Sequence, residues 1–349
     1  MKALTVIPLK EGSAALIDMD DPPEADGDVL VETLGVGVCG TDIEILSGQY
    51  GWAPPGEERL VLGHESLGRV VDAPAGSGFV PGDHVVGIVR MPDPLPCSSC
   101  AVGEWDMCRN GKYTEHGIKE LHGFCRERYR IPSAHLVKVD PALGMLGVLL
   151  EPATILAKAW DHVEHIGRRA HWDPARAIVT GAGPVGLMAA LMGVQRGMEV
   201  HVIDQVSDGP KPALVSDVGA HYHTGSIEDA CPSPDVVIEC TGVGSLVFDA
   251  MEHVAAGGVV CLTGVSSGGR TIGVDAGELN RYMVLENEAV VGSVNANKGH
   301  YEAGAAALAA ADREWLGRLI TRRVPLDSWQ DALARQAGDV KVVIEVGTA

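Results

Sequence analysis

The chain has 349 residues, enough for two domains, and 46% of them are hydrophobic, enough for a sizeable core. Asp and Glu total 47 against 27 Lys and Arg, which makes the formal net charge −20. That balance argues against nucleic acid or an anionic membrane as partner, because both require a positive surface. No run of 18 apolar residues and no signal-peptide pattern occurs, so we expect no membrane span and a cytoplasmic location.

The first part of the chain predicts a β-rich domain. Short apolar runs at 29–34, 67–71 and 85–89 are separated by Gly, Pro and Asp. Residues 151–170 predict a helix, because apolar side chains recur there every three to four positions.

From residue 176 to 295 the pattern changes to short apolar strands that alternate with helices. The predicted strands cover 177–179, 200–203, 236–238, 259–262 and 289–291. Such alternation indicates a doubly wound parallel sheet. Two helices and a strand at 340–346 follow, and we expect them to return to the first domain. The predicted division is 1–155 with 296–349 for the β-rich domain, and 156–295 for a nucleotide-binding domain.

A glycine-rich turn follows the first of these strands and opens a helix. It is the run Gly181-Ala182-Gly183-Pro184-Val185-Gly186. Gly181 allows a tight turn, Gly183 allows close approach of a pyrophosphate, and Gly186 allows close packing of helix on strand. Asp204 ends the next strand, where a carboxylate accepts a hydrogen bond from a ribose 2′-OH. The alternative is a structural turn without a ligand.

Asp204 also bears on the choice of cofactor. A carboxylate at that place repels a 2′-phosphate, so the sequence favours NAD over NADP. Lys211 could soften this repulsion, and Asp204 could instead be a turn or N-cap residue.

Potential zinc ligands occur at three separated points of the sequence. Cys39 lies in a Gly-flanked segment, His64 and Glu65 lie 25 residues later between glycines, and Glu151 lies at the domain edge. Thiolate, imidazole and carboxylate all bind zinc, and a catalytic zinc keeps one position open. Each residue alone would be unremarkable.

These features together resemble the zinc-dependent medium-chain dehydrogenase/reductase superfamily, over nearly the whole chain. The shared motifs, in order, are Cys39-Gly40-Thr41-Asp42, Gly63-His64-Glu65, Pro81-Gly82-Asp83-His84-Val85 and the glycine-rich turn. Within it the chain is most similar to glucose dehydrogenases, through residues 113–118, 122–124 and 294–301. The resemblance implies a GroES-like catalytic domain beside a Rossmann domain, and a dimer or tetramer.

The resemblance also implies roles for particular residues. Cys39, His64, Glu65 and Glu151 would hold a catalytic zinc, with the two glutamates binding directly or through water. Thr41 would bind the substrate oxygen and pass its proton outward, and its alternative role is a helix N-cap. Glu65 and Glu151 could also accept protons. Glu115 and Asn297 would contact substrate hydroxyls, or else be ordinary loop residues.

Three cysteines, Cys97, Cys100 and Cys108, resemble the structural zinc loop of the superfamily, which usually has four. Gly103 and Pro94 stand where relatives carry a fourth cysteine. Asp93 is the expected fourth ligand and Asp106 a weaker candidate. The alternative is a metal-free lobe with free thiols. Disulfides are not expected in either case, because the chain is large and shows no export signal.

The expected activity is hydride transfer between NAD(P) and a sugar or related polyol. Several glucose dehydrogenases carry an acidic or amide residue shortly after Glu-Pro, whereas this chain has Ile155 there. Because loss of a polar contact changes substrate preference, a zinc-dependent alcohol, polyol or cyclitol dehydrogenase is the alternative. A non-enzymatic redox sensor is a third hypothesis, which the intact zinc-ligand set opposes.

Overall fold

The computed structural model describes residues 1–266 and 271–347. It divides into two units, Met1–Glu151 with Asn295–Ala349, and Pro152–Val294. The first boundary predicted from the sequence, 155/156, lies four residues after the observed one. The second predicted boundary, 295/296, lies one residue after the observed one.

The N-terminal part of the first unit consists mainly of short strands. They are β1 (Lys2–Val6), β2 (Ala15–Asp18), β3 (Val29–Gly37), β4 (Leu60–Val61), β5 (Glu65–Asp72), β6 (His84–Gly87), β7 (Arg90–Met91), β8 (Thr114–His116), β9 (Glu120–Leu121), β10 (Arg128–Ile131) and β11 (Leu136–Lys138). Helix α1 (Gly40–Leu46) follows β3. Strand β3 alternates buried and half-buried residues at first and is then fully buried from Leu34 to Gly37. It is an interior strand, with β5 and β19 paired to it.

The second unit is a six-stranded parallel sheet with helices between the strands. Its strands are β12 (Arg176–Thr180), β13 (Glu199–Ile203), β14 (His221–His223), β15 (Val236–Glu239), β16 (Val259–Leu262) and β17 (Ala289–Gly292). The helices are α2 (Leu150–Gly167), which begins in the first unit, then α3 (Pro184–Gln195), α4 (Pro210–Asp217), α5 (Ile227–Ala230), α6 (Gly244–His253) and α7 (Ala276–Leu285).

The strand order in this sheet is β14-β13-β12-β15-β16-β17. The order reverses direction at β12, as it does in doubly wound nucleotide-binding sheets, where ligands bind at the carboxyl ends of the strands. The central strands are almost continuously apolar because both of their faces are covered. The predicted fold class is therefore confirmed.

After residue 294 the chain returns to the first unit. It forms α8 (Lys298–Ala309), α9 (Arg313–Leu319), β18 (Ile320–Pro325), α10 (Trp329–Leu333) and β19 (Lys341–Glu345). Strand β19 pairs antiparallel with β3, so that Val343 lies opposite Gly37. The main sheet of this unit has the order β11-β6-β5-β3-β19-β18, with β10 also paired to β3.

One helical stretch, Pro141–Gly167, is long and apolar enough to cross a membrane by length and composition. However, 78% of its apolar window is buried inside the protein, which is the property of a core helix.

The glycine-rich turn yields a test of the fold. Gly181 has φ +86°, and a Cβ added to Gly186 would lie 1.8 Å from the carbonyl oxygen of Gly181. We expect Gly186→Ala to lower the free energy of unfolding by about 1–3 kcal/mol in urea denaturation, because the turn must shift to admit the methyl group. Gly183→Ala is the control, since a Cβ there meets no atom within 4 Å. Equal losses from the two substitutions would contradict this packing.

Candidate active site

Cys39 lies just after β3 and is the N-cap residue of α1. Its backbone N–H donates to Asp42 Oδ2 at 2.9 Å, and its sulfur accepts from the backbone N–H of Asp42. These reciprocal contacts fix the position of the sulfur at the start of the helix.

His64 and Glu65 lie at the turn from β4 into β5. Gly63 adopts φ +86°, and a Cβ there would lie 2.6 Å from a methyl group of Val36, so that only glycine fits. Glu65 then pairs with Gly37 across the β3–β5 ladder. This register brings two segments that are 25 residues apart in the sequence to the same place.

The structure brings the sulfur of Cys39, the imidazole of His64 and the carboxylate of Glu65 together. Their ligand atoms all lie within 4.8 Å of one another, and the His64 and Glu65 side chains are buried. One thiolate, one imidazole and one carboxylate are a donor set that suits zinc, so these residues fit the implied metal.

Glu151 is a buried neighbour of this cluster. Burial is the main cause that raises its pKa to about 7, and the charge of Glu65 raises it further. The charges of His64 and Lys341 act in the opposite direction. A carboxyl group with this pKa can gain or lose a proton near neutral pH.

Asp42 lies behind the imidazole of His64, with Oδ1 3.5 Å from Nδ1. Burial by itself would lower the pKa of His64, but Asp42, with a smaller contribution from Cys39, outweighs it and raises that pKa well above its usual value. A carboxylate beside a ligating histidine orients the ring in many metal sites.

Lys341 is a residue of the site that the sequence did not single out. Its ammonium group donates to both carboxylate oxygens of Glu65, at 2.7 and 2.6 Å, and to the carbonyl oxygen of Val38 at 3.1 Å. The only signal in the sequence is a lysine at the start of the apolar run of β19, followed by three buried residues.

Thr41 lies in the first turn of α1, with its hydroxyl oxygen 4.0 Å from the sulfur of Cys39. Because Cys39 is the N-cap residue, the alternative capping role of Thr41 is not needed. Its predicted contact with substrate stays a prediction.

Glu115 and Asn297 are both engaged by other residues of the first unit. Glu115 Oε1 accepts from Arg90 Nε at 3.0 Å and from Asn295 Nδ2 at 2.8 Å. Asn297 caps α8, with its side chain accepting from the backbone N–H of His300 at 3.3 Å. Arg90 and Asn295 are polar neighbours that the sequence did not point to, because they are distant from Glu115 along the chain.

In the cysteine lobe, the sulfurs of Cys97, Cys100 and Cys108 lie within 4.8 Å of one another. A hydrogen bond from the backbone N–H of Arg109 is the main cause that lowers the pKa of Cys97 to about 6. The carboxylate of Asp93, the expected fourth ligand, accepts instead from Leu95 N at 2.8 Å and Asn110 Nδ2 at 2.9 Å.

Asp106, the weaker candidate for the fourth ligand, is buried, with Oδ2 3.9 Å from His300 Nδ1. The three sulfurs therefore lie close together, whereas the identity of the carboxylate that would be the fourth zinc ligand stays a prediction.

The glycine-rich turn and Asp204 lie together in the second unit. Gly181 follows the last residue of β12, and Pro184, Val185 and Gly186 form the first turn of α3. Asp204 Oδ2 accepts from the backbone N–H of Ala182 at 2.7 Å and from Lys211 Nζ at 2.7 Å. Partial burial would raise the pKa of Asp204, but these hydrogen bonds lower it, so the carboxylate is ionised at neutral pH.

Two family models match this chain. Residues 144–346 match the glucose dehydrogenase C-terminus, and residues 25–141 match the alcohol dehydrogenase GroES-like domain. The chain belongs to the glucose dehydrogenase family. Membership confirms the expected superfamily and the expected class of activity, that of an oxidoreductase acting on CH–OH groups with zinc and a nicotinamide cofactor.

Relatives of this family resemble the chain from end to end. The chain is 38% identical to glucose 1-dehydrogenase of Methanocella arvoryzae, over 99% of this chain and 100% of the relative. It is 40% identical to glucose 1-dehydrogenase of Thermoproteus tenax, over 100% of both chains. Glucose dehydrogenase of Haloferax mediterranei, solved in complex with NADP, Zn and gluconolactone, superposes with a TM-score of 0.92 at 33% identity over 100% of both chains.

The buried Lys341–Glu65 pair yields a test of the site in metal-free protein. We expect Lys341→Met to lower the free energy of unfolding by about 3–5 kcal/mol, because it leaves the Glu65 charge buried without its cation. Lys138→Met is the control, since that ammonium pairs with Asp83 while half exposed, and such pairs contribute at most about 1 kcal/mol. Urea denaturation that gives equal losses for both variants would contradict the assignment.

Proposed function

We propose that this chain oxidises glucose or a closely related aldose at its anomeric carbon and transfers the hydride to a nicotinamide cofactor. The convergence of Cys39, His64 and Glu65 carries the proposal, because a thiolate, an imidazole and a carboxylate whose ligand atoms lie within 4.8 Å of one another are a donor set that zinc binds. Relatives named as glucose 1-dehydrogenases support the choice of substrate.

Cys39, His64, Glu65 and Glu151 would hold the catalytic zinc. When bound there, the ion would polarise the substrate oxygen and stabilise its negative charge. Lys341 holds the Glu65 carboxylate in place through two hydrogen bonds, and Asp42 orients His64.

The remaining residues position the sugar and move its proton. Thr41, beside Cys39, would bind the reacting hydroxyl and relay its proton outward. Glu151 would accept a proton, for which its pKa of about 7 suits neutral conditions. Glu115, held by Arg90 and Asn295, would accept from one sugar hydroxyl, and Asn297 would contact another.

For the cofactor we propose NAD in preference to NADP. The glycine-rich turn would bind the pyrophosphate, and the ionised Asp204 would accept from the ribose 2′-OH. Lys211 partly neutralises that carboxylate, and the relative from Haloferax mediterranei holds NADP, so the preference rests on Asp204 alone.

We also propose a structural zinc at Cys97, Cys100 and Cys108, with Asp93 reaching the ion only if it leaves Asn110. A cytoplasmic location is supported by the free state of all eight cysteines. A homodimer or homotetramer is proposed from family resemblance.

The second candidate is a zinc-dependent alcohol, polyol or cyclitol dehydrogenase. The apolar Ile155 favours it, because that position lacks a hydrogen-bonding group for a sugar hydroxyl. Initial rates of NADH formation with aldoses, cyclitols and simple alcohols distinguish the two. A kcat/KM for glucose below that for a cyclitol or simple alcohol would select the second candidate.

Replacement of the thiol tests the metal mechanism. We expect Cys39→Ser to lower kcat/KM at least about 100-fold, since even outer-shell metal partners contribute 10–100-fold. NADH affinity, measured by fluorescence titration, should change little, because the cofactor residues lie in the other unit. Cys231→Ser is the control that keeps activity. Activity of Cys39→Ser in zinc-free buffer would refute the mechanism.

The cofactor assignment is tested by Asp204→Gly combined with Gln205→Arg. We expect the ratio of kcat/KM for NADP over NAD to rise about tenfold or more, because the 2′-phosphate loses a repelling carboxylate and gains a cation. An unchanged ratio would remove Asp204 from its proposed role.

A further inference from the structure

A pocket of about 590 Å³ opens on the first unit. It is lined by residues 18–23, which begin at the last residue of β2, by Asp26 and Glu57, and by His116, His122, Arg126 and Arg130. None of the residues assigned above to zinc, sugar or cofactor lines it.

Arg126 is the feature of this pocket that requires explanation. The residue is 4% exposed, and its Nε is buried without a hydrogen-bond partner in the described part of the chain. The carboxylates of Asp26 and Glu57 act on it through their charge alone, since neither forms an ion pair with it within residues 1–266 and 271–347. Burial lowers its pKa to about 10, so that the guanidinium is still charged at neutral pH. A buried cation without acceptors is unfavourable, so an acceptor from outside the chain would stabilise it.

His116 supplies a complementary group in the same pocket. Its Nδ1 lies 2.7 Å from the carbonyl oxygen of His122, and a carbonyl only accepts, so Nδ1 carries the proton. Nε2 is then an acceptor, and it has no partner in the described part of the chain. Burial lowers the pKa of His116 to about 3, which keeps the ring neutral.

The charges around the pocket limit the ligand class. Asp18, Asp20, Asp21 and Asp26 line it as exposed carboxylates, and Glu57 lines it while paired with His122 at 2.9 Å. Arg130 lines it as a second, half-buried guanidinium. Five carboxylates oppose an anion, and the two guanidinium groups oppose a cation. A neutral molecule with several hydroxyl groups satisfies both, because each hydroxyl accepts from Arg126 or donates to His116 and the carboxylates.

We propose that this pocket is a second binding site, separate from the active site, for a neutral polyhydroxylated molecule of the sugar or polyol class. Hydroxyl oxygens of the ligand accept from the Arg126 guanidinium at the base. Hydroxyl hydrogens donate to His116 Nε2 and to Asp26 at the rim. The site is independent of the oxidation chemistry proposed above.

Equilibrium dialysis with radiolabelled methyl α-D-glucopyranoside tests the proposal, because its blocked anomeric oxygen prevents oxidation at that carbon. We expect the wild-type protein to bind one more molecule of the glucoside per chain than the Arg126→Met variant binds. The affinity of the variant at this site should fall about tenfold or more, because the charged donor is lost. Thr41→Val, which alters the proposed active site, should retain the Arg126-dependent binding. The Arg126→Met variant should keep kcat and KM for its oxidised substrate within about twofold of the wild type.

Asp26→Asn is a second variant for the case in which Arg126→Met does not fold. We expect it to bind the glucoside more weakly than the wild type, because this exposed carboxylate at the rim also contacts the ligand. Glucoside binding that is equal in the wild type and in whichever variant folds would overturn the proposal. Arg126-dependent binding of acetate or inorganic phosphate, without binding of the glucoside, would also overturn it and would identify an anion site.

Discussion

The buried pairing of Glu65 with Lys341 is the constraint on which the active site depends. A carboxylate with almost no exposure is stable only when a cation and hydrogen bonds replace its water, and the ammonium of Lys341 supplies both. The pair also links β5, which begins with Glu65, to β19, which begins with Lys341. The last strand of the chain therefore contributes to the same site as Cys39, which follows β3. Asp42 and Glu151 are buried at the same place, and the raised pKa of His64 makes its imidazole a second cation there in the metal-free protein. A divalent ion held by Cys39, His64 and the glutamates would replace the proton of that imidazole as the charge that balances Asp42 and Glu151, while Lys341 continues to balance Glu65.

The sequence predicted the nucleotide unit well because its signals are local. Parallel strands buried on both faces are short apolar runs, and a glycine such as Gly186 is required where a methyl group would touch the backbone of the preceding turn. The zinc ligands could be proposed only as a set, first from their residue types and spacing and then through family resemblance, since Cys39 and His64 meet through strand pairing that no local pattern encodes.

Long-range polar contacts escaped prediction for a physical reason. Lys341 meets Glu65 across 276 positions of sequence, and Asn295 meets Glu115 across 180. Such pairs form because buried charges need partners, but the sequence does not say which partner the fold supplies. Asp93 shows that nearness in sequence does not fix a contact either. It lies close to the cysteines along the chain, but its carboxylate accepts a hydrogen bond from Asn110.

The most direct test of the charge balance is the pKa of Glu151 in metal-free and zinc-loaded protein. Carbon-13 NMR of labelled glutamate carboxyls measures it, with the resonance assigned through Glu151→Gln. We predict a pKa of about 7 without the ion and a value well below that with it, because a divalent cation stabilises the neighbouring carboxylate. A pKa that zinc leaves unchanged would contradict the claim that this cluster of buried carboxylates holds the metal.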